Sequence, residues 1–87
     1  MMKLSGISAF LATVEAGSIS GASKRLGLAT SVVSERLAEL EKSLGAKLIQ
    51  RTTRKLSLTE SGLSFLPRAQ RIMREADEAE AELAERS

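Results

Sequence analysis

Leu4, Ile7, Phe10, Leu11 and Val14 recur at steps of three and four residues, which draws one apolar stripe along a helix. Gly17 ends that stripe, because glycine takes the left-handed position after a last turn without steric cost. Ser18 stands where a helix cap belongs, and Ile19, Ala22 and Leu26 mark a second, short helix that closes at Gly27. A third helix is predicted from about 30 to 44. Thr30 or Ser31 would cap it, Val33, Leu37, Leu40 and Leu44 would face inward, and Gly45 would stop it. Two short helices separated by Gly27-Leu28-Ala29 make a helix-turn-helix by length and punctuation. Such a pair serves equally as a DNA reader or as a plain structural hairpin.

The period changes after Gly45. Ala46 to Gln50 is short and apolar, Arg51-Thr52-Thr53-Arg54-Lys55 is polar and cationic, and Leu56-Ser57-Leu58 alternates. Two small strands around a basic turn fit this pattern, and a β-hairpin directly after a helix-turn-helix is a wing. Its turn holds three cations in five residues, which suits phosphates or an arginine inserted in a minor groove.

Thr59 is the predicted cap of a last, long helix, with Glu60 in its first turn, where the helix dipole favours an anion. A heptad reading puts Gly62, Ala69, Ala76 and Leu83 at one seam position and Phe65, Ile72 and Ala79 at the other; Leu66 and Met73 widen the stripe. That is the pattern of a helix pairing with a second copy of itself. Phe65, Ala69, Ile72, Met73, Ala76, Ala79 and Leu83 are the predicted dimer contacts. Pro67 falls inside this helix, where it removes a hydrogen bond to the Leu63 carbonyl and is expected to kink the first turns. The predicted fold is mainly α: a winged helix-turn-helix over residues 1–58, with three helices and a two-stranded wing, then a linker and dimerisation helix over 59–87.

Charge sharpens this picture. The net charge of +2 is small, but residues 1–60 hold nine of the thirteen basic residues and five of the eleven acidic ones. A basic body with an acidic tail directs a polyanionic partner to the body, although a solvated mixed-charge surface would look the same. No histidine or cysteine is present, which removes imidazole bases, thiol nucleophiles and the commonest transition-metal ligands. No glycine-rich phosphate loop occurs. Neither catalysis nor any cofactor or metal is expected. The apolar runs are too short for a membrane span and no signal peptide is evident, so a soluble, cytoplasmic, nucleoid-associated protein is expected.

Several spaced motifs together resemble one family. Phe10 through Ser18, Gly21-Ala22-Ser23-Lys24-Arg25-Leu26, Val33-Ser34, Leu40-Glu41, Leu44-Gly45, Leu48, Arg51, and Leu58-Thr59-Glu60-Ser61-Gly62 are similar to the N-terminal domain of LysR-type transcriptional regulators. The similarity covers essentially residues 2–75. The resemblance implies a homodimer that binds double-stranded DNA at an interrupted inverted repeat and regulates transcription. The third helix would enter the major groove, the wing would touch the flanking minor groove, and the long helix would dimerise. A small-molecule effector would act only through a further domain that this chain lacks, so the chain is a piece of a longer regulator or a short effector-free relative; the first is the expectation. The family commonly carries Ser-Gln-Pro or Ser-Gln-Ser where this chain has Ala29-Thr30-Ser31, a small residue at Val32 and often a cation at Glu35. The base preference therefore cannot be carried over from relatives.

The contact residues follow from helical geometry. At about 100° per residue, Ser31, Glu35, Ala38 and Lys42 lie opposite the inward arc, flanked by Val32, Arg36 and Ser34. A recognition helix inserts its N-terminal end, so Thr30, Ser31, Val32, Ser34 and Glu35 are the predicted base contacts. Lys24, Arg25, Arg36, Arg51, Thr53, Arg54 and Lys55 are predicted for the backbone or minor groove, with Arg54 the choice for the groove and Arg51 also able to pair with a carboxylate. Glu35 is odd on such a face. It accepts a hydrogen bond from a cytosine N4, or it pairs with Arg36, Lys42 or another cation and only weakens nonspecific binding. The alternative function is a winged-helix module for protein partners, dimerised by the same helix, which a neutral or acidic recognition face would favour.

Overall fold

The computed structural model describes residues 1–51 and 55–86, and of residue 51 the backbone only. Its order is α1 (Leu4–Ala16), α2 (Ile19–Leu26), α3 (Thr30–Leu44), β1 (Ile49–Arg51), β2 (Leu56–Leu58) and α4 (Glu60–Arg86). Helices α1, α2 and α3 pack on one another, and the first half of α4 closes the core from the other side of α1. Ile7, Phe10, Val33, Leu37, Leu40 and Leu48 are buried together, and Phe65 of α4 lies 5.6 Å, ring centre to ring centre, from Phe10. Thr13 is buried among them without penalty, because its hydroxyl donates to the Ala9 carbonyl one turn back at 2.7 Å.

Local chemistry sets most of the helix ends. Ser18 caps α2, its Oγ accepting the Gly21 N–H at 2.9 Å. Exchanging Ser18 for alanine should lower stability by about 1 kcal/mol in urea unfolding, since the Gly21 amide then loses its acceptor. An unchanged midpoint would show that water replaces the cap at no cost. At the other end of α2, Gly27 has φ 66°, a left-handed turn that lets Leu28 N–H return to the Ser23 carbonyl at 3.1 Å. This turn aims α3 across α2.

Two expectations about α3 need correction. Ala29, not Thr30 or Ser31, is the cap position, and it has no side chain to offer; its carbonyl accepts from Val32 and Val33 instead. Leu44 is angularly aligned with Leu37 and Leu40, yet it is 36% exposed and lines an open groove with Leu48 and Phe65. The helical direction is right there, but Leu48 and Phe65 cover that last turn only in part. Leu4, at the far end of the α1 stripe, is likewise exposed.

The wing is shorter at its start than the apolar run predicts. β1 begins at Ile49 rather than Ala46, and pairs antiparallel with β2 in the register Ile49↔Leu58, Gln50↔Ser57, Arg51↔Leu56. Residues 46–48 are occupied otherwise. Ala46 N–H bonds to the Glu41 carbonyl at 3.1 Å, which completes the end of α3, and Leu48 N–H bonds to the Glu41 side chain at 2.7 Å. Thr59 then ties the end of β2 to the start of α4. Its N–H donates to the Leu48 carbonyl at 3.0 Å, its hydroxyl donates to the Lys47 carbonyl, and its Oγ1 caps Gly62 N–H at 3.0 Å.

Helix α4 runs unbroken through Pro67 for 27 residues, roughly 40 Å at 1.5 Å per residue. The heptad stripe along it divides in two. Gly62 and Ala69 are buried inside this chain, and Phe65, Ile72 and Met73 are half-buried against the same core. Ala69 has 0% of its surface free, so its place among the predicted dimer contacts is withdrawn. An apolar stripe looks the same in sequence whether its own chain or a second one covers it. From Asp77 to Arg86 every residue is exposed. No helix among the described residues is long and apolar enough to cross a membrane.

Candidate nucleic-acid interface

Helix α3 presents an open outward face. Val33, Leu37 and Leu40 are buried, and directly opposite them Thr30, Ser31, Glu35, Ala38 and Lys42 are exposed. The start of α3 lacks a side-chain cap, so among the described residues the Thr30 and Ser31 amides have no acceptor. These amides and the positive end of the helix dipole point outward together, the arrangement in which a helix end receives an anion.

Each flank of α3 meets a different neighbour. On one side Ser34, half-buried, lines a cleft of about 670 Å³ with Ala38, Glu41, Lys47, Gln50 and Thr59, between α3 and the wing. On the other side Val32 and Arg36, both half-buried, line a smaller groove against Met1, Lys3 and Ser5 at the start of α1. The predicted base contacts thus share one helix but are not equally open. Thr30 and Ser31 stand clear, Glu35 is exposed at the rim of the groove beside Val32 and Arg36, and Val32 and Ser34 sit at the two edges.

Among the predicted phosphate contacts, Lys24 and Arg25 are exposed on the last turn of α2. Arg25 lies 3.7 Å from Glu15 in an exposed pair, a contact weak enough to exchange for a phosphate. Lys55 is exposed beside β2. Thr53 and Arg54, and the side chain of Arg51, lie outside the described residues.

The acidic residues of α3 have distinct tasks. Glu39 is 3.9 Å from Lys3. Glu41, whose side chain is only 15% exposed, accepts from Leu48 N–H at 2.7 Å and Ile49 N–H at 3.3 Å, and lies 3.6 Å from Lys47. It fastens the root of the wing to α3. Glu35 makes no ion pair among the described residues, with Arg36, Lys42 or any other cation. Sequence reasoning missed the roles of Glu41, Lys47 and Gln50. Only the family motif Leu40-Glu41 hinted at the first, and Lys47 and Gln50 are hidden in a run that reads as plain strand.

Three helices, with the third exposing its far face and a two-stranded hairpin fixed beside it, define a winged helix-turn-helix domain carried on a long helix. The family model for bacterial regulatory helix-turn-helix proteins of the lysR family matches residues 4–63, and the chain belongs to that family. It is 43% identical over 83 residues to an HTH-type transcriptional repressor of Pseudomonas aeruginosa, covering 95% of this chain and 26% of that protein. It is 47% identical over 77 residues to the HTH-type transcriptional regulator CrgA of Neisseria meningitidis, covering 88% of this chain and 26% of CrgA. Among solved structures, the CbnR_DBD–DNA complex superposes with a TM-score of 0.87 at 31% identity, covering 95% of both chains. The chain thus spans about a quarter of the length of these two relatives.

Proposed function

We propose that this chain binds double-stranded DNA sequence-specifically as a homodimer and regulates transcription. The observation that carries the reading is the solvent-facing side of α3, with Ser31 and Glu35 exposed opposite a buried Val33, Leu37 and Leu40. A helix with eight of its fifteen residues exposed, open at its N-terminus and flanked by a hairpin, has the shape that a major groove accepts. The likeness to a protein solved with DNA supports the same reading.

In this arrangement Thr30, Ser31, Val32, Ser34 and Glu35 meet base edges. Lys24, Arg25, Arg36, Arg51, Thr53, Arg54 and Lys55 meet the backbone or, at the wing turn, the minor groove. The exposed run of α4 from Asp77 to Arg86 supports a dimer, because about three turns of isolated helix are marginal in water. Phe65, Ile72, Met73 and Ala76 would give their uncovered sides to the partner, and Ala79 and Leu83 their exposed faces. Two-fold pairing makes the target an interrupted inverted repeat.

Mobility shifts across a salt series test this. If two subunits neutralise about ten phosphates, log affinity falls against log salt with a slope near −9. A slope flatter than about −3 would overturn the footprint, and binding to protein partners but not to any duplex would make the chain an interaction module.

A further inference from the structure

We infer that Glu35 reads a cytosine, accepting a hydrogen bond from its N4 amino group in each half-site; this rests on the proposed placement of α3 in the major groove. Glu35 lies opposite the buried arc of α3, about one and a half turns from its start, where an inserted helix comes nearest the bases. Its carboxylate is exposed and has no ion pair among the described residues. Its cationic neighbours do not reach it. Lys3 is engaged by Glu39, Arg36 lines the same groove beside the start of α1 without pairing with Glu35, and Lys42 is two turns away on the same face.

The residues farthest from the core in the first half of α3, Thr30, Ser31 and Glu35, therefore carry one full negative charge, with Arg36 at their edge. A face that only followed phosphates would carry the opposite charge, and a carboxylate brought into that field raises the cost of every wrong docking. Among the base edges of the major groove, the amino groups of cytosine and adenine are the donors. Adenine places an acceptor, N7, beside its amino group, which repels a second carboxylate oxygen, whereas cytosine N4 has no such neighbour on its own edge. Cytosine is the base a lone glutamate accepts best.

The 87-residue chain, its Glu35→Gln and its Glu35→Ala variants are each used to select duplexes from a randomised pool. The wild type should return an inverted repeat with a fixed cytosine in each half. Both variants should lose that preference while binding random-sequence duplex several-fold more tightly, because a charge facing the phosphates is gone. Replacing the selected cytosine by 2-pyrimidinone, which lacks only the amino group, should weaken the wild type about ten- to a hundredfold and leave Glu35→Ala unchanged. An enriched repeat with the same consensus for wild type and Glu35→Gln, or a wild type indifferent to loss of the amino group, overturns the inference while leaving DNA binding intact. A pool in which no sequence is enriched overturns the DNA reading and this assignment with it.

Discussion

Replacing Gly62 by alanine is expected to destabilise the chain by about 3 kcal/mol, although the same exchange in an ordinary helix interior stabilises by up to about 1 kcal/mol. A Cβ at Gly62 would overlap the Leu48 carbonyl oxygen and stand 3.1 Å from the Leu58 side chain. The first of these is backbone, already held by the Thr59 N–H at 3.0 Å, so no rotamer change relieves the clash. Either α4 moves off the wing or the β1–β2 pair breaks. Urea unfolding at fixed chain concentration, with Ser64→Ala as a nearby exposed control, reads the effect. A Gly62→Ala protein as stable as the parent would mean that α4 and the wing are not in contact at this point. The joint also matters for the proposed function. It sets the direction in which the long helix leaves the reading head, and hence the spacing of two reading heads in a dimer.

Glu41→Ala is expected to cost about 2–3 kcal/mol, because it strips a charged acceptor from two backbone donors at once. The Leu48 and Ile49 amides, at 2.7 and 3.3 Å from Glu41 Oε2, would be left in a partly buried place without that acceptor. Glu41→Gln should cost less, since its amide oxygen can still take the Leu48 N–H. Lys47→Ala should cost under about 1 kcal/mol, because the Lys47 side chain is 80% exposed and its pairing is screened by water. Hydrogen exchange separates these roles from general destabilisation. In Glu41→Ala, protection should fall first at Leu48 and Ile49, and only later in α1. Uniform loss across all helices would show instead that Glu41 supports the whole core rather than the root of the wing.

Both residues mark the boundary of what could be read from the chain alone. The inward stripe of α1, the caps at Ser18 and Thr59 and the glycine stops at 17, 27 and 45 were all legible, because each depends on residues within one or two turns. The outward side of α3, and so the exposure of Thr30, Ser31 and Glu35, follows from the same periodicity once Val33, Leu37 and Leu40 are assigned inward. Even the wing was legible as an element, although its first strand starts three residues later than the apolar run suggests.

The amino-acid sequence by itself determined the helices, their order, the hairpin and which side of α3 is left over for a ligand, since periodicity and capping act over short stretches of chain. Tertiary structure alone decided which apolar surface finds a cover. It placed Ala69 inside the chain and left Leu44 at an open groove, aimed the Glu41 carboxylate at Leu48 and Ile49, and pressed Gly62 against the Leu48 carbonyl. These contacts join segments 7 to 14 positions apart or more. A periodic pattern states which way a side chain points, but not whether anything stands there to meet it.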